Sequence, residues 1–243
     1  ILVGLVGSEM CIRDSVTVSL SQANIGRQID TRVAEDAPAW FFIDIQPDQI
    51  DRFMDITTGT PGVTEVSKTP MLRGRVTSLG GRDAAEFDMN GGSAWVLRGD
   101  RALTWSATPP ESGEIVAGDW WPADYAGTPR VSMSEEEARE LGVWIGDSVT
   151  FNVLGRSVTA EITNIRSVDW ESFSINFVFV LSPGLLEAAP HSWMASARVD
   201  SDDAAIAVDR RVAAAFSNVS TISVREAVAT AQRVIGLLGA AVQ

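Results

Sequence analysis

Few residues in this sequence have the types and spacing that chemistry requires. Cys11 and His191 are each the single member of their kind. A metal site needs several convergent ligands, and neither residue has a partner at ligand spacing. A Ser-His-Asp hydrolase would have to use His191, yet no G-x-S-x-G elbow is present to present a serine. No G-x-x-x-x-G-K-[ST] loop exists to cradle a nucleotide. Asp44 and Asp48 flank a strand end and Asp119 precedes Trp120. They read as caps and solvated groups, because an acidic chain offers such pairs everywhere. The RGD at 98–100 reads as turn chemistry around Gly99 and Asp100. No catalytic, cofactor-binding or metal-binding residue is assigned, and the chain is not read as an enzyme.

One stretch stands apart. AGDWWPADY (117–125) sets Trp120 beside Trp121. On an extended backbone neighbouring side chains point to opposite faces. Leaving one indole in water forgoes roughly 2 kcal/mol of burial. Trp120 and Trp121 are therefore candidates for contact with a partner or an apolar cargo, against the plainer reading of packing on the body.

The elements that must position these residues follow from charge and periodicity. The formal net charge is −13, which repels a nucleic-acid backbone, so no nucleic-acid partner is expected. Hydrophobic residues make up 45% of the 243, enough for a buried core. No uninterrupted apolar run reaches the roughly 18–20 residues that span a bilayer. The run EMCIRD resembles the translated adapter of transposon-based sequencing libraries. Residues 1–14, with Cys11, are accordingly read as a sequencing-adapter artefact. Residues 15–30 look like the end of a transmembrane helix, and 224–243 like the start of the next.

Two segments share one plan. WFFIDI (40–45) reads as a buried strand, followed by a helix opened by Pro47 with Ile50, Phe53 and Met54 on one face. Turn signals at Gly59, Pro61 and Gly62 release a second strand. Met194–Val199 reads as a strand, Ser201, Asp202 and Asp203 as a capping cluster, and Val208, Val212 and Phe216 as a helical stripe before a strand at Val219–Ile222. Two βαβ-like units bracketing an insertion predict an α+β, split βαβ, ferredoxin-like layer: 31–79 as the first half and 191–223 as the second. The insertion, 80–190, reads as β-rich. Hairpins are expected around Gly99-Asp100 and around Leu154-Gly155-Arg156. INFVFVLSP reads as a strand buried on both faces. Ser134 with Glu137 predicts a capping box for a helix ended by Gly142. A partly closed barrel is the expected result.

The combination FFIDIQPDQ, PMLRGRV, AGDWWP, LGVWIGDSVTFNVLGR, RSVDWESFSINFVFVLSP and APHSWMASARV resembles the large extracytoplasmic domain of FtsX/MacB/LolE-type ABC transporter permeases, nearest the YbbP-like branch. The resemblance covers roughly residues 16–243. It implies a porter-type layer hung between membrane helices, on the periplasmic side of a bacterial inner membrane. It also implies a separate cytoplasmic ABC ATPase subunit, a lipid-like, lipoprotein or peptide cargo, and a periplasmic partner protein. Mechanical coupling needs a stiff joint between domain and helix, for which Val224 and Arg225 are the candidates. The rival readings are a secreted carbohydrate-active or hydrolytic domain and a non-catalytic extracellular scaffold.

Overall fold

A computed structural model describes residues 37–230 apart from 171 and 173. The readings made on 1–14, 15–30 and 231–243, Cys11 included, lie outside the described residues. The protein is a mixed α/β structure with a large sheet and few helices.

The first unit runs β1 (Trp40–Ile45), α1 (Ile50–Thr58) and β2 (Val63–Leu79). β1 does not alternate simply. Asp44 takes a positive φ of 65°, and the register shifts between Phe42 and Ile45. That bulge lets two residues three apart face one core, which a regular period of two forbids. Helix α1 starts at Ile50 and not at Pro47, which lies in the preceding turn. Its buried face is Ile50, Phe53 and Thr57, while Met54 packs at the edge.

The chain then leaves for its insertion through β3 (Arg82–Asp83), β4 (Arg101–Trp105), β5 (Ile115–Gly118), β6 (Arg130–Ser134), α2 (Glu135–Leu141), β7 (Ser148–Val153), β8 (Arg156–Arg166) and β9 (Phe179–Leu181). It returns as β10 (Ser192–Val199), α3 (Asp202–Ala215) and β11 (Ser220–Ser223). Strands β1, β2, β10 and β11 therefore meet in one antiparallel sheet of order β11-β1-β10-β2. Both helices cover its apolar face. Phe42, Ile45, Phe53, Val208, Val212 and Phe216 form that core, with Ala195 and Ala197 of β10 small enough to let the helices approach. Ser201 caps α3 as expected, its hydroxyl accepting from the Ala204 amide at 3.3 Å.

Strand β2 is the common member of two bodies. Its residues Val63 to Met71 pair with β10, Leu72 to Gly74 with β4, and Arg75 to Leu79 with β7. From β7 the pairings pass to β8, β6, β9 and β4 and so back to β2, a closed circuit of six strands. Leu79, Leu103, Met133, Phe151, Ile162 and Phe179 fill its interior. The hairpin around Leu154-Gly155 forms, with φ of 51° and 84° at the two turn residues. Strand β9 is short and buried throughout.

Two local expectations are corrected. No hairpin forms around Gly99-Asp100. Gly92–Leu97 is a 3-10 helix, and β4 pairs with β2 and β9 instead. The reason is that Ala94, Val96 and Leu97 are all buried, a pattern that a strand alternating across one face cannot satisfy. Ser134 does precede α2, but its hydroxyl donates to the Glu137 carboxylate and makes no bond to a backbone amide. Glu137 is buried there and needs a donor more than the helix end needs an acceptor. Gly142 ends the helix at φ 68°, with the Val143 amide bonding back to Ala138 at 3.0 Å.

Candidate functional site

The two ends of the described chain meet. Trp40 opens β1 and pairs with Ser223 at the end of β11, so the incoming and outgoing segments lie side by side. The Val224 amide donates to the Ala39 carbonyl at 3.2 Å, and the Ala39 amide to the Ala197 carbonyl at 2.8 Å. The Trp40 indole N–H donates to the Ala205 carbonyl at 2.9 Å, pinning the incoming segment to α3. Residues 224–230 are helical, and the Ser223 hydroxyl accepts from the Glu226 amide at 3.2 Å, capping that helix. Val224 is buried in the seam. Arg225 reaches across to Asp202, the first residue of α3, at 2.6 Å.

This last pair is solvent-exposed. The Arg225 hydrogen bond, with its charge, holds the Asp202 carboxyl below the ordinary carboxylate range, and Asp202 raises the Arg225 guanidinium in return. A depressed acid contributes stability above its unfolded pKa and loses it as pH falls through the lowered value. Water and salt screen such a pair, so it directs the outgoing helix more than it stabilises the fold. Between the two ends and α3 lies a cavity of about 720 Å³, lined by Pro38, Trp40, Ile206, Val224 and Val228 among others.

Trp120 and Trp121 do not splay apart. The backbone turns at Gly118, where φ is 73° and a Cβ would fall 2.3 Å from the Thr163 carbonyl oxygen. Past that turn the indoles pack against each other with centroids 4.1 Å apart. They donate to adjacent carbonyls, Trp120 to Ala107 at 3.0 Å and Trp121 to Ser106 at 2.9 Å. Trp121 is buried, and Trp120 alone keeps part of its surface in solvent.

His191 sits in an aromatic cluster. Its ring packs edge-on against Trp105 at 5.0 Å and against Trp193 at 6.0 Å. Its Nδ1 is 2.8 Å from the Ala189 carbonyl, so that nitrogen carries the proton. Lys68, the sole lysine, sits 5.3 Å over Trp193 in the same cluster. Asp44, Asp48 and Asp119 are exposed, and Asp100 of the RGD pairs with Arg75 at 3.2 Å. No group of three metal-ligating side chains occurs among the described residues.

Sequence reasoning missed two features. Arg166 is buried at the end of β8. It donates to the Ser132 carbonyl at 3.1 Å, to the Val178 carbonyl at 3.3 Å and to the Phe177 carbonyl. Burial pushes its guanidinium down to about 10, and the Glu137 charge pulls the other way. The second feature is an acidic, tryptophan-walled cavity beside α2. Nothing local in the sequence links the 3-10 helix at 92–97, α2 and Trp170.

The described body is a four-stranded sheet carrying two helices, joined by the long strand β2 to a closed strand circuit, with Ala39 and Val224 bonded at one seam. Against known proteins, the chain is 34% identical over 163 residues to the ABC transporter permease YbbP of Escherichia coli (strain K12), a match that takes in 67% of this chain. The chain's resemblance to that permease, read above from its motifs, stands. The match spans 19% of the relative's length. No protein-family model matches the chain. A solved domain of a protein described as a permease from Porphyromonas gingivalis aligns with 76% of this chain and 88% of that one. The two are 14% identical, and the TM-score of 0.38 is too low to carry an argument.

Proposed function

We propose that this chain is the extracytoplasmic domain of an ABC transporter permease subunit and that it couples ATP-driven motion of membrane helices to export or extraction of a lipid-like, lipoprotein or peptide cargo. The observation that carries the reading is the seam. Ala39 and Val224 are hydrogen-bonded, so segments leading into and out of the domain depart from one point, as a pair of membrane helices requires. Val224 and Arg225 then form the joint: one is buried in the body, the other tied to α3.

On this reading 31–79 and 191–223 are the halves of a split βαβ, ferredoxin-like layer. The order β11-β1-β10-β2 supports it, since each βαβ unit has a strand of the other inserted between its own. Residues 80–190 are the inserted barrel. The partners are a separate cytoplasmic ATPase, the cargo and a periplasmic protein, and the site is the inner membrane, facing outward. Trp120 is the member of its pair proposed for partner contact.

Reading the intact locus tests this. Apolar spans of about 20 residues on both sides, with an adjacent ATPase gene, are the expected result. A hydrophilic leader and a stop codon directly after position 243 would overturn it.

A further inference from the structure

Three tryptophans are conspicuously exposed among the described residues: Trp95 at 37%, Trp144 at 45% and Trp170 at 40%. Two of them share one cavity. Trp95 and Trp170 stand edge to face, centroids 6.3 Å apart and planes at 82°, forming two walls of a corner. Glu136, Glu137 and Glu140 of α2 complete a cavity of about 290 Å³ whose described lining includes no lysine or arginine.

The carboxylates are unequal. Glu137 is buried, accepts from Ser134 and feels the charge of Arg166 behind it. Glu140 accepts from the Ser93 hydroxyl at 2.8 Å. Glu136 makes no hydrogen bond or ion pair with the described residues. Glu136 and Glu140 are four apart, so they share one face of α2 and put two charges with no paired cation on a single wall. Hydrolysis of a glycoside wants carboxyl groups on opposite sides of the bond, so this arrangement is poorly suited to it. Perpendicular indole faces with carboxylates alongside instead match what an organic cation needs: π-faces for its polarised methyl or N–H groups, and negative charge to balance it. The chain already shows that chemistry, since the Arg101 guanidinium sits 5.3 Å over the Trp95 ring.

We propose that this cavity binds an organic ammonium group, carried by a free amine or by a lipid headgroup. The proposal stands on these residues and does not depend on the permease reading.

The test is a titration of the whole chain with choline chloride, following the indole N–H resonances of Trp95 and Trp170 at constant ionic strength. The control ligand is 3,3-dimethylbutan-1-ol, its neutral isostere. Saturable shifts with choline are expected, at least tenfold weaker with the isostere. Glu136→Gln and Trp170→Ala should each weaken binding about tenfold, while Trp144→Ala leaves it unchanged. Glu136 is exposed, so its variant folds normally and keeps the test decisive. Phosphatidylcholine vesicles that retain the chain only when Glu136 is intact would assign the headgroup as the source. Binding of choline without vesicle retention would assign a free amine. Equal response to both ligands, no saturable shift, or a response to a chito-oligosaccharide and not to choline would overturn the proposal.

Discussion

Replacing Arg166 by alanine is expected to destabilise the protein by about 3–5 kcal/mol, the range for stripping one partner from a buried charge. The guanidinium ties the Ser132 carbonyl of β6 to the Phe177 and Val178 carbonyls of the segment leading into β9, so it closes the strand circuit from inside. Removing it takes a donor from each of these carbonyls, of which Val178 keeps the Ser134 amide, and leaves Glu137 without its compensating charge. Burial lowers Arg166 to about 10, so it stays charged at neutral pH. Arg166→Met combined with Glu137→Gln should therefore recover much of the loss, because the charge and its demand leave together. Urea denaturation of the three proteins measures both effects. A single Arg166→Ala change costing under about 1 kcal/mol would mean that the brace is not a support of the barrel.

Phe53→Ala is expected to cost about as much, roughly 3–5 kcal/mol, by a different mechanism. Phe53 is fully buried, edge-on to Phe42 at 5.1 Å and tilted on Phe216 at 6.1 Å. Truncation opens a cavity where α1, β1 and the end of α3 converge, and forfeits both ring contacts. Because β2 pairs both in the four-stranded sheet and in the closed strand circuit, loosening the sheet removes the anchor of half that strand. The urea midpoint followed by tryptophan fluorescence should fall as a single transition. A split into two transitions would show that the bodies fold independently despite the shared strand.

How much of this was readable in advance differs by element. Helix α3 and the Leu154-Gly155 hairpin follow from period and turn chemistry, which are local, and strand β1 from its apolar run, though its bulge at Asp44 does not. The 3-10 helix at 92–97 was not readable as such, since AWVL is a short apolar run that passes for a strand until the burial of both Val96 and Leu97 is known. The double membership of β2 was hidden for another reason. Its partners β4, β7 and β10 lie far along the chain, and pairing at that distance leaves no mark on the strand's own seventeen residues. Trp120 and Trp121 drew notice as a doublet, whereas Trp95 and Trp170, 75 positions apart by their numbers, meet only through the fold. The contacts of Val224 with Ala39 and of Arg225 with Asp202 join residues far apart in the chain and leave no local mark.

The proposed function has force pass through the joint at Val224 and Arg225. The direct measurement is made on the full-length permease reconstituted with its ATPase, with three glycines inserted after Arg225. The account predicts that ATP hydrolysis continues while cargo movement per ATP falls at least tenfold, since a flexible link cannot carry the helix motion into the layer. An unchanged ratio of cargo moved to ATP hydrolysed would contradict it.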